Sequence, residues 1–240
     1  VPLFRNSSLN CGGAVISKKF ILTVAHCFFN QKSFRKFKKC KKLNTTNECY
    51  NRTNDFSIRL LGKEKFGKKL KLKRIIIHPK FDFLDVVYDI ALLELAEPLN
   101  CSKMINPICL PTNKEMYKID QKFFIAGWGK YEITGLEGPQ MLREGIMKEV
   151  PVEKCMRVFL PNKIKYQYQC AVGTSETSCT GDSGTPNFIK IENNFYILGI
   201  VSHGLNFLCK PKYPVVFTKV LYFLKWIKEY VNDLPEPFMT

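Results

Sequence analysis

Histidine, tryptophan and acid are scarce in this chain: its 240 residues hold three His, two Trp and 21 Asp+Glu against 37 Lys+Arg. A reaction that needs an imidazole base therefore has only His26, His78 and His203 to draw on. No apolar run nears the roughly 18 residues of a membrane-spanning helix, so neither such a helix nor a membrane partner is expected. Val1–Arg5 has neither the basic nor the apolar stretch of a leader peptide, which leaves export to be argued from other features. Internal repeats and low-complexity linkers are missing. Helical periodicity is thin as well. It shows in Val152–Phe159 and clearly only at the end, where Leu221, Leu224, Trp226-Ile227 and Tyr230-Val231 recur between charged residues.

What is present is a series of short apolar runs set off by turn residues. They include Ala14–Ser17, Phe20–Ala25, Ser57–Leu61, Leu70–Ile77, Ile90–Leu95, Lys122–Ala126, Phe195–Val201 and Val215–Val220. Many short strands with a single terminal helix predict an all-β sandwich or barrel. Composition agrees with an ordinary globular chain, 45% hydrophobic and 24% charged. Ten Cys accompany four Asn-x-Ser/Thr sequons, at Asn6, Asn44, Asn51 and Asn100. Together they favour an oxidising, secretory route and an extracellular glycoprotein.

Charge is concentrated. Residues 28–80 hold 17 Lys+Arg against Glu48, Asp55 and Glu64, and so carry +14 of the chain's +16. One Lys-rich loop reads as a solvated face. Two of them, 32–42 and 63–74, with Phe34 and Phe37 interleaved, also fit a surface for a polyanion such as a glycosaminoglycan or an acidic protein segment. Nucleic acid does not suit an exported chain.

The chemistry centres on Gly181-Asp182-Ser183-Gly184. Glycines beside a serine let the backbone approach a substrate closely, and the Gly181 and Ser183 N–H groups can point at one spot where a carbonyl oxygen gains charge. Alone, such a tetrapeptide reads equally as a turn. A serine nucleophile needs a base and a group to orient that base. His78, before Pro79, reads as a surface strand-to-turn residue. His26 ends the apolar run Phe20–Ala25 and reads by itself either as a core histidine or as a base. Asp89 sits on the shoulder of Ile90–Leu95, where a carboxylate needs a partner such as an imidazole N–H.

Thr23-Val24-Ala25-His26-Cys27, Asp89-Ile90-Ala91-Leu92-Leu93 and Gly181-Asp182-Ser183-Gly184 resemble, in that order, the three catalytic motifs of the chymotrypsin/trypsin family of serine proteases. Cys11-Gly12-Gly13, Pro107-Ile108-Cys109-Leu110-Pro111, Gly127-Trp128-Gly129 and Pro214–Val220 add to a similarity spanning about residues 10–232. The resemblance implies two six-stranded antiparallel Greek-key barrels with a C-terminal helix. Residues 1–108 would form the half that holds His26 and Asp89, and 109–240 the half that holds Ser183. It implies a secreted endopeptidase acting on protein or peptide through an acyl-enzyme, without cofactor or metal. His26 would be the base, Asp89 its orienting acid, and the Gly181 and Ser183 amides the oxyanion hole. Substrate would meet Thr177, Ser178, Thr180, Ser202, His203, Gly204 and Val215, and Ser202 would also support Asp89. The family's bridges would be Cys11–Cys27, Cys155–Cys170 and Cys179–Cys209. Cys40 and Cys49, in an insertion, would close a local loop. For the remaining pair two outcomes stay open: Cys101 bonded to Cys109, or Cys109 holding a pro-segment. One further family bridge is replaced by Phe123 and Ile189.

Departures from the family pattern sharpen the expectation. Thr177 stands where trypsins carry the acid that binds Arg or Lys, and Val215 adds bulk where trypsin has Gly, so a small or medium apolar side chain is expected before the cleaved bond. His203 replaces the usual Trp and reads more readily as a neutral wall residue than as a second titrating catalytic group. Thr185 replaces another common Gly. Lys63 occupies a calcium-loop position, so no calcium site is expected. Asp182 would pair with an amine freed by activation cleavage, but Val1-Pro2-Leu3-Phe4 aligns after that terminus. Either a preceding segment is missing from this sequence, or a second chain supplies the terminus, or Asp182 is satisfied differently. The alternatives are a zymogen-like or inactive homologue acting as a binding protein, and a non-enzymatic adhesive or heparin-binding module.

Overall fold

The computed structural model describes residues 1–41, 47–61, 66–101, 105–130, 142–155, 162–204 and 209–235. Its N-terminal strands are β1 (Pro2–Arg5), β2 (Ser8–Gly12), β3 (Ala14–Val15), β4 (Phe20–Thr23), β5 (Phe56–Leu61), β6 (Phe66–Leu70), β7 (Leu72–Ile77) and β8 (Ala91–Leu95). A six-residue helix α1 (Gln31–Lys36) lies between β4 and β5, capped by Asn30, whose side chain accepts from the Lys32 and Ser33 amides. The later strands are β9 (Lys122–Gly127), β10 (Arg143–Val150), β11 (Tyr168–Gly173), β12 (Pro186–Ile191), β13 (Asn194–Gly204) and β14 (Val215–Lys219), followed by α2 (Leu224–Tyr230).

The later strands close a six-stranded barrel in the order β10-β11-β14-β13-β12-β9, antiparallel throughout. The earlier ones form two four-stranded sheets, β2-β1-β5-β6 and β3-β4-β8-β7. A single residue separates β2 from β3 and β6 from β7. Taken as two bent strands that pass from one sheet to the other, they complete a second antiparallel circuit. This is the trypsin-like architecture that the sequence comparison implied, in which bends carry strands round a barrel corner.

Burial explains the arrangement. β4 and β8 are mostly apolar, with Thr23 and Glu94 the exceptions, and buried on both faces, with Ile21, Leu22 and Leu92 at 0% exposure. Phe123, Met147, Leu198 and Phe217 fill the interior of the second barrel. Phe123 and Ile189, expected to replace a bridge, both lie in that apolar core. In α2 the predicted spacing buries Trp226 and Ile227 against the first half's core while Lys225 and Lys228 face solvent. His78 is not the surface residue its position suggested. It is half-buried, stacked on Tyr88 at 4.9 Å and beside Trp226 at 5.1 Å, and burial, with Lys80 nearby, pulls its pKa down to about 4. Of Val152–Phe159, only the portion up to Cys155 lies within the described residues.

Disulfides join Cys11–Cys27, Cys40–Cys49, Cys155–Cys170 and Cys179–Cys209. Cys101 and Cys109 are free thiols, exposed and buried respectively.

Candidate active site

His26 stands in a single 3₁₀ turn, Ala25–Phe28, directly after β4, and Asp89 lies just before β8, β4's neighbour in the sheet. The two chain ends therefore meet at one edge. Asp89 is wholly buried and makes up for its desolvation with three hydrogen bonds. Oδ1 accepts from the His26 amide at 2.9 Å, and Oδ2 accepts from His26 Nδ1 at 2.8 Å and Ser202 Oγ at 2.6 Å. Burial alone would raise the Asp89 pKa, but the His26 charge and these donors hold it below the usual carboxylate range. For His26, burial pulls downward and Asp89 pulls upward, and Asp89 prevails. An ionised acid can only accept, so His26 Nδ1 carries the hydrogen and Nε2 is left as the basic nitrogen. Thr218 donates to the Asp89 carbonyl at 2.8 Å and ties this corner to β14.

Ser183 is delivered by a tight turn from the second half. Its carbonyl accepts from Gly12 N–H at 2.7 Å, which pins the loop to β2. Gly184, at φ +81°, lies so close to Thr23 and the Gly12 carbonyl that a Cβ would overlap them. Gly181 has φ +101°. The amides of Asp182, Gly184 and Thr185 are bonded to the Cys179, Val201 and Asp182 carbonyls at 3.0, 2.8 and 2.9 Å. Those of Gly181 and Ser183 donate to no acceptor among the described residues, which leaves two neighbouring N–H groups open for an anion. No hydrogen bond of Ser183 Oγ occurs among the described residues, so the link to His26 stays open, a contact that often tightens only with substrate bound.

Asp182 is 8% exposed and accepts Gly129 N–H at 2.7 Å and Cys179 N–H at 2.9 Å. No cation pairs with it among the described residues, and burial pushes its pKa up to about 6 against the pull of the two amides. The Val1 amine donates instead to the Gly13 carbonyl at 2.7 Å. Gly127-Trp128-Gly129 stood out in the sequence, yet its part as the cradle for Asp182 was not foreseen. A side chain at Gly129 would overlap the carboxylate.

A cleft beside Asp182 is lined by Thr177, Ser178, Cys179, Thr185, Val201 and Cys209. Thr177 Oγ1 and Ser178 Oγ are buried there without a hydrogen-bond partner. Val215 lies in the barrel core with Phe217 and is not among the cleft's lining residues. Thr180 is exposed and Gly204 half-buried at the end of β13. Cys11, His26 and Cys27 offer three atoms within 4.8 Å of one another, but both sulfurs are already spent in a disulfide. The calcium-loop position Lys63 lies outside the described residues.

Of the basic segments, Lys32, Arg35, Lys36 and Lys38 around α1 and Lys68 and Lys69 on β6 are exposed. Lys73 and Arg74 are paired with Glu94. Phe34 packs inward against Phe29 and Phe83 at 5.6 and 5.5 Å, so it anchors α1. Asn6 and Asn100 are exposed, whereas Asn51 donates its side-chain amide to the Phe28 and Phe29 carbonyls at 3.1 and 3.2 Å. Asn44 lies outside the described residues.

The family described as Trypsin matches residues 1–227. Curated relatives include serine protease Hayan of Drosophila melanogaster, 29% identical over 239 residues, covering 94% of this chain and 35% of that protein. Atrial natriuretic peptide-converting enzyme of Mus musculus is 31% identical over 224 residues, 92% of this chain and 19% of its own length. Vitamin K-dependent protein C of Mus musculus is 30% identical over 243 residues, 97% of this chain and 48% of that protein. The chain thus spans half or less of the length of these relatives.

Proposed function

Because the chain belongs to the trypsin family of serine proteases, we propose that it is a secreted endopeptidase that hydrolyses peptide bonds through an acyl-enzyme on Ser183. The observation that carries this reading is the buried Asp89. Its bond to His26 Nδ1 leaves Nε2 as the basic nitrogen. In the forward step Nε2 takes the hydroxyl proton as Ser183 Oγ bonds to the carbonyl carbon. The resulting oxyanion is held by the Gly181 and Ser183 amides, each donor worth about 3 kcal/mol in such sites. His26 returns its proton to the departing amine as the C–N bond breaks, and water then releases the acyl group by the same path reversed.

Residues 1–108 and 109–240 act as the two halves of one peptidase domain. Thr177 offers no charge to an Arg or Lys side chain, so the preference is for a small or medium apolar residue before the cleaved bond, with Ser178, Thr180, His203 and Gly204 shaping the neighbouring subsites; Val215, expected to narrow the pocket, lies in the barrel core instead. Sequencing the products of a mixed peptide library tests this; dominant cleavage after Arg or Lys would refute it. The lysines of 32–42 and 63–74 form a polyanion surface, expected to show as salt-sensitive retention on heparin that Lys36, Lys38, Lys39, Lys68 and Lys69 substitutions weaken. Cys109 is available to a pro-segment. Glycan is expected on Asn6 and Asn100 but not on Asn51, whose amide is engaged; intact mass after deglycosylation in heavy-oxygen water reads each site.

One observation favours a zymogen-like second reading. Asp182 is a buried acid held by amides alone among the described residues, and its charge calls for an amine. Activity that appears only after a preceding segment is cleaved would support it.

A further inference from the structure

β13 carries a bulge: Val201 pairs with Phe217 and His203 with Val216, leaving Ser202 as the extra residue. Consecutive side chains of a regular strand leave opposite faces. The bulge lets those of Ser202 and His203 meet, Oγ to Nδ1 at 2.9 Å. Ser202 Oγ also lies 2.6 Å from Asp89 Oδ2. A hydroxyl has one proton, and the ionised carboxylate can only accept. That proton therefore goes to Asp89, and Ser202 must in turn accept from His203, so Nδ1 of His203 carries the hydrogen.

We propose that His203 is a positioning residue: its Nδ1–H holds the Ser202 hydroxyl on Asp89 and, through Asp89, sets how strongly the His26 imidazole is held. The inference rests on reading Ser183, His26 and Asp89 as the catalytic set. Four side chains then form one line, His203–Ser202–Asp89–His26, with three contacts of 2.9, 2.6 and 2.8 Å. Bonds in such a line reinforce one another in a buried setting. Among titratable groups, Tyr168 on β11 faces His203 edge-on at 6.2 Å, and Asp89 is reached through Ser202. The β14 partners opposite, Val215 and Val216, are apolar. Without the donor behind it, Ser202 binds Asp89 less firmly, and Asp89 attracts the His26 proton more strongly.

The test uses protein with ¹⁵N-labelled histidine. Long-range proton–nitrogen spectra of the wild type should show His203 as the Nδ1–H tautomer at neutral pH. His203→Phe should move the His26 titration upward by roughly 0.1–0.6 pH unit, the reinforcement expected of one bond in such a line. His203→Asn, whose amide can reach the place of Nδ1, should restore the wild-type midpoint, and His203→Gln should not. An Nε2–H tautomer, or a His26 titration unmoved by His203→Phe, would overturn the proposal. Both readouts are independent of catalysis. Loss of the functional reading would appear separately, as absence of fluorophosphonate labelling at Ser183.

Discussion

Asp182→Asn probes a buried acid that has no cation partner among the described residues. The wild-type carboxyl has a pKa of about 6 in the fold against 3.8 as a free side chain, because burial outweighs its two amide donors. Between those values Asp182 binds more protons in the folded state than in the unfolded one, so the stability it contributes is greatest below about pH 4 and falls as pH rises to about 6. Two pH units correspond to about 3 kcal/mol. Asparagine carries no charge, so this slope should vanish in Asp182→Asn. Its NH₂ must face one of two amide donors, a mismatch of about 1–3 kcal/mol. The variant should therefore be the less stable protein at pH 4 and equal or exceed the wild type at pH 8. Urea unfolding followed by the fluorescence of Trp128 and Trp226, disulfides intact, measures both curves. Glu149, whose pKa burial also raises, contributes a slope of the same sign to both proteins and cancels in the difference. An identical slope in the variant would show that Asp182 does not carry this pH dependence and would refute the reasoning.

Ser202→Ala removes a donor to a buried carboxylate and should cost about 1.5–3 kcal/mol, with the low-pH limb of activity moving upward as Asp89 draws harder on His26. Chemical denaturation and the pH–rate profile read the two effects. Asp89→Asn should reverse the His26 tautomer and, on the serine-protease template, lower kcat by about 10⁴ while the chain still folds; steady-state kinetics decides. Gly129→Ala forces a methyl into the Asp182 carboxylate and should cost about 1–3 kcal/mol, seen as a lower Tm. An unchanged Tm would mean that the cradle has room to relax.

Strands that are mostly apolar, such as β4, β8 and β14, were legible in the sequence because burial on both faces leaves few polar interruptions, Thr23, Glu94 and Thr218 among them. β6 was not, since Lys68 and Lys69 break its pattern on an exposed edge. β10 hid because Gly145 takes an inward place beside Met147 while outward the exposed Ile146 stands between Glu144 and Lys148. The polar network within the second barrel, where Gln169 bridges Glu149 and Asn187 at 2.9 and 2.8 Å, disguised β11 and β12 for the same reason. In the site, His26 and Asp89 meet from the neighbouring ends of β4 and β8, and Ser202 reaches Asp89 from the bulge of β13. The His203 contact was not legible: it depends on a bulge, and a one-residue shift in register leaves no trace in composition or period.

The account stands or falls on Ser183 as a nucleophile activated by His26. The most direct measurement is a fluorophosphonate adduct mapped by peptide mass on the purified protein. The account predicts one phosphonylated residue, Ser183, absent in Ser183→Ala and formed far more slowly in His26→Ala. Stoichiometric labelling at another residue, or labelling that survives Ser183→Ala, would contradict it.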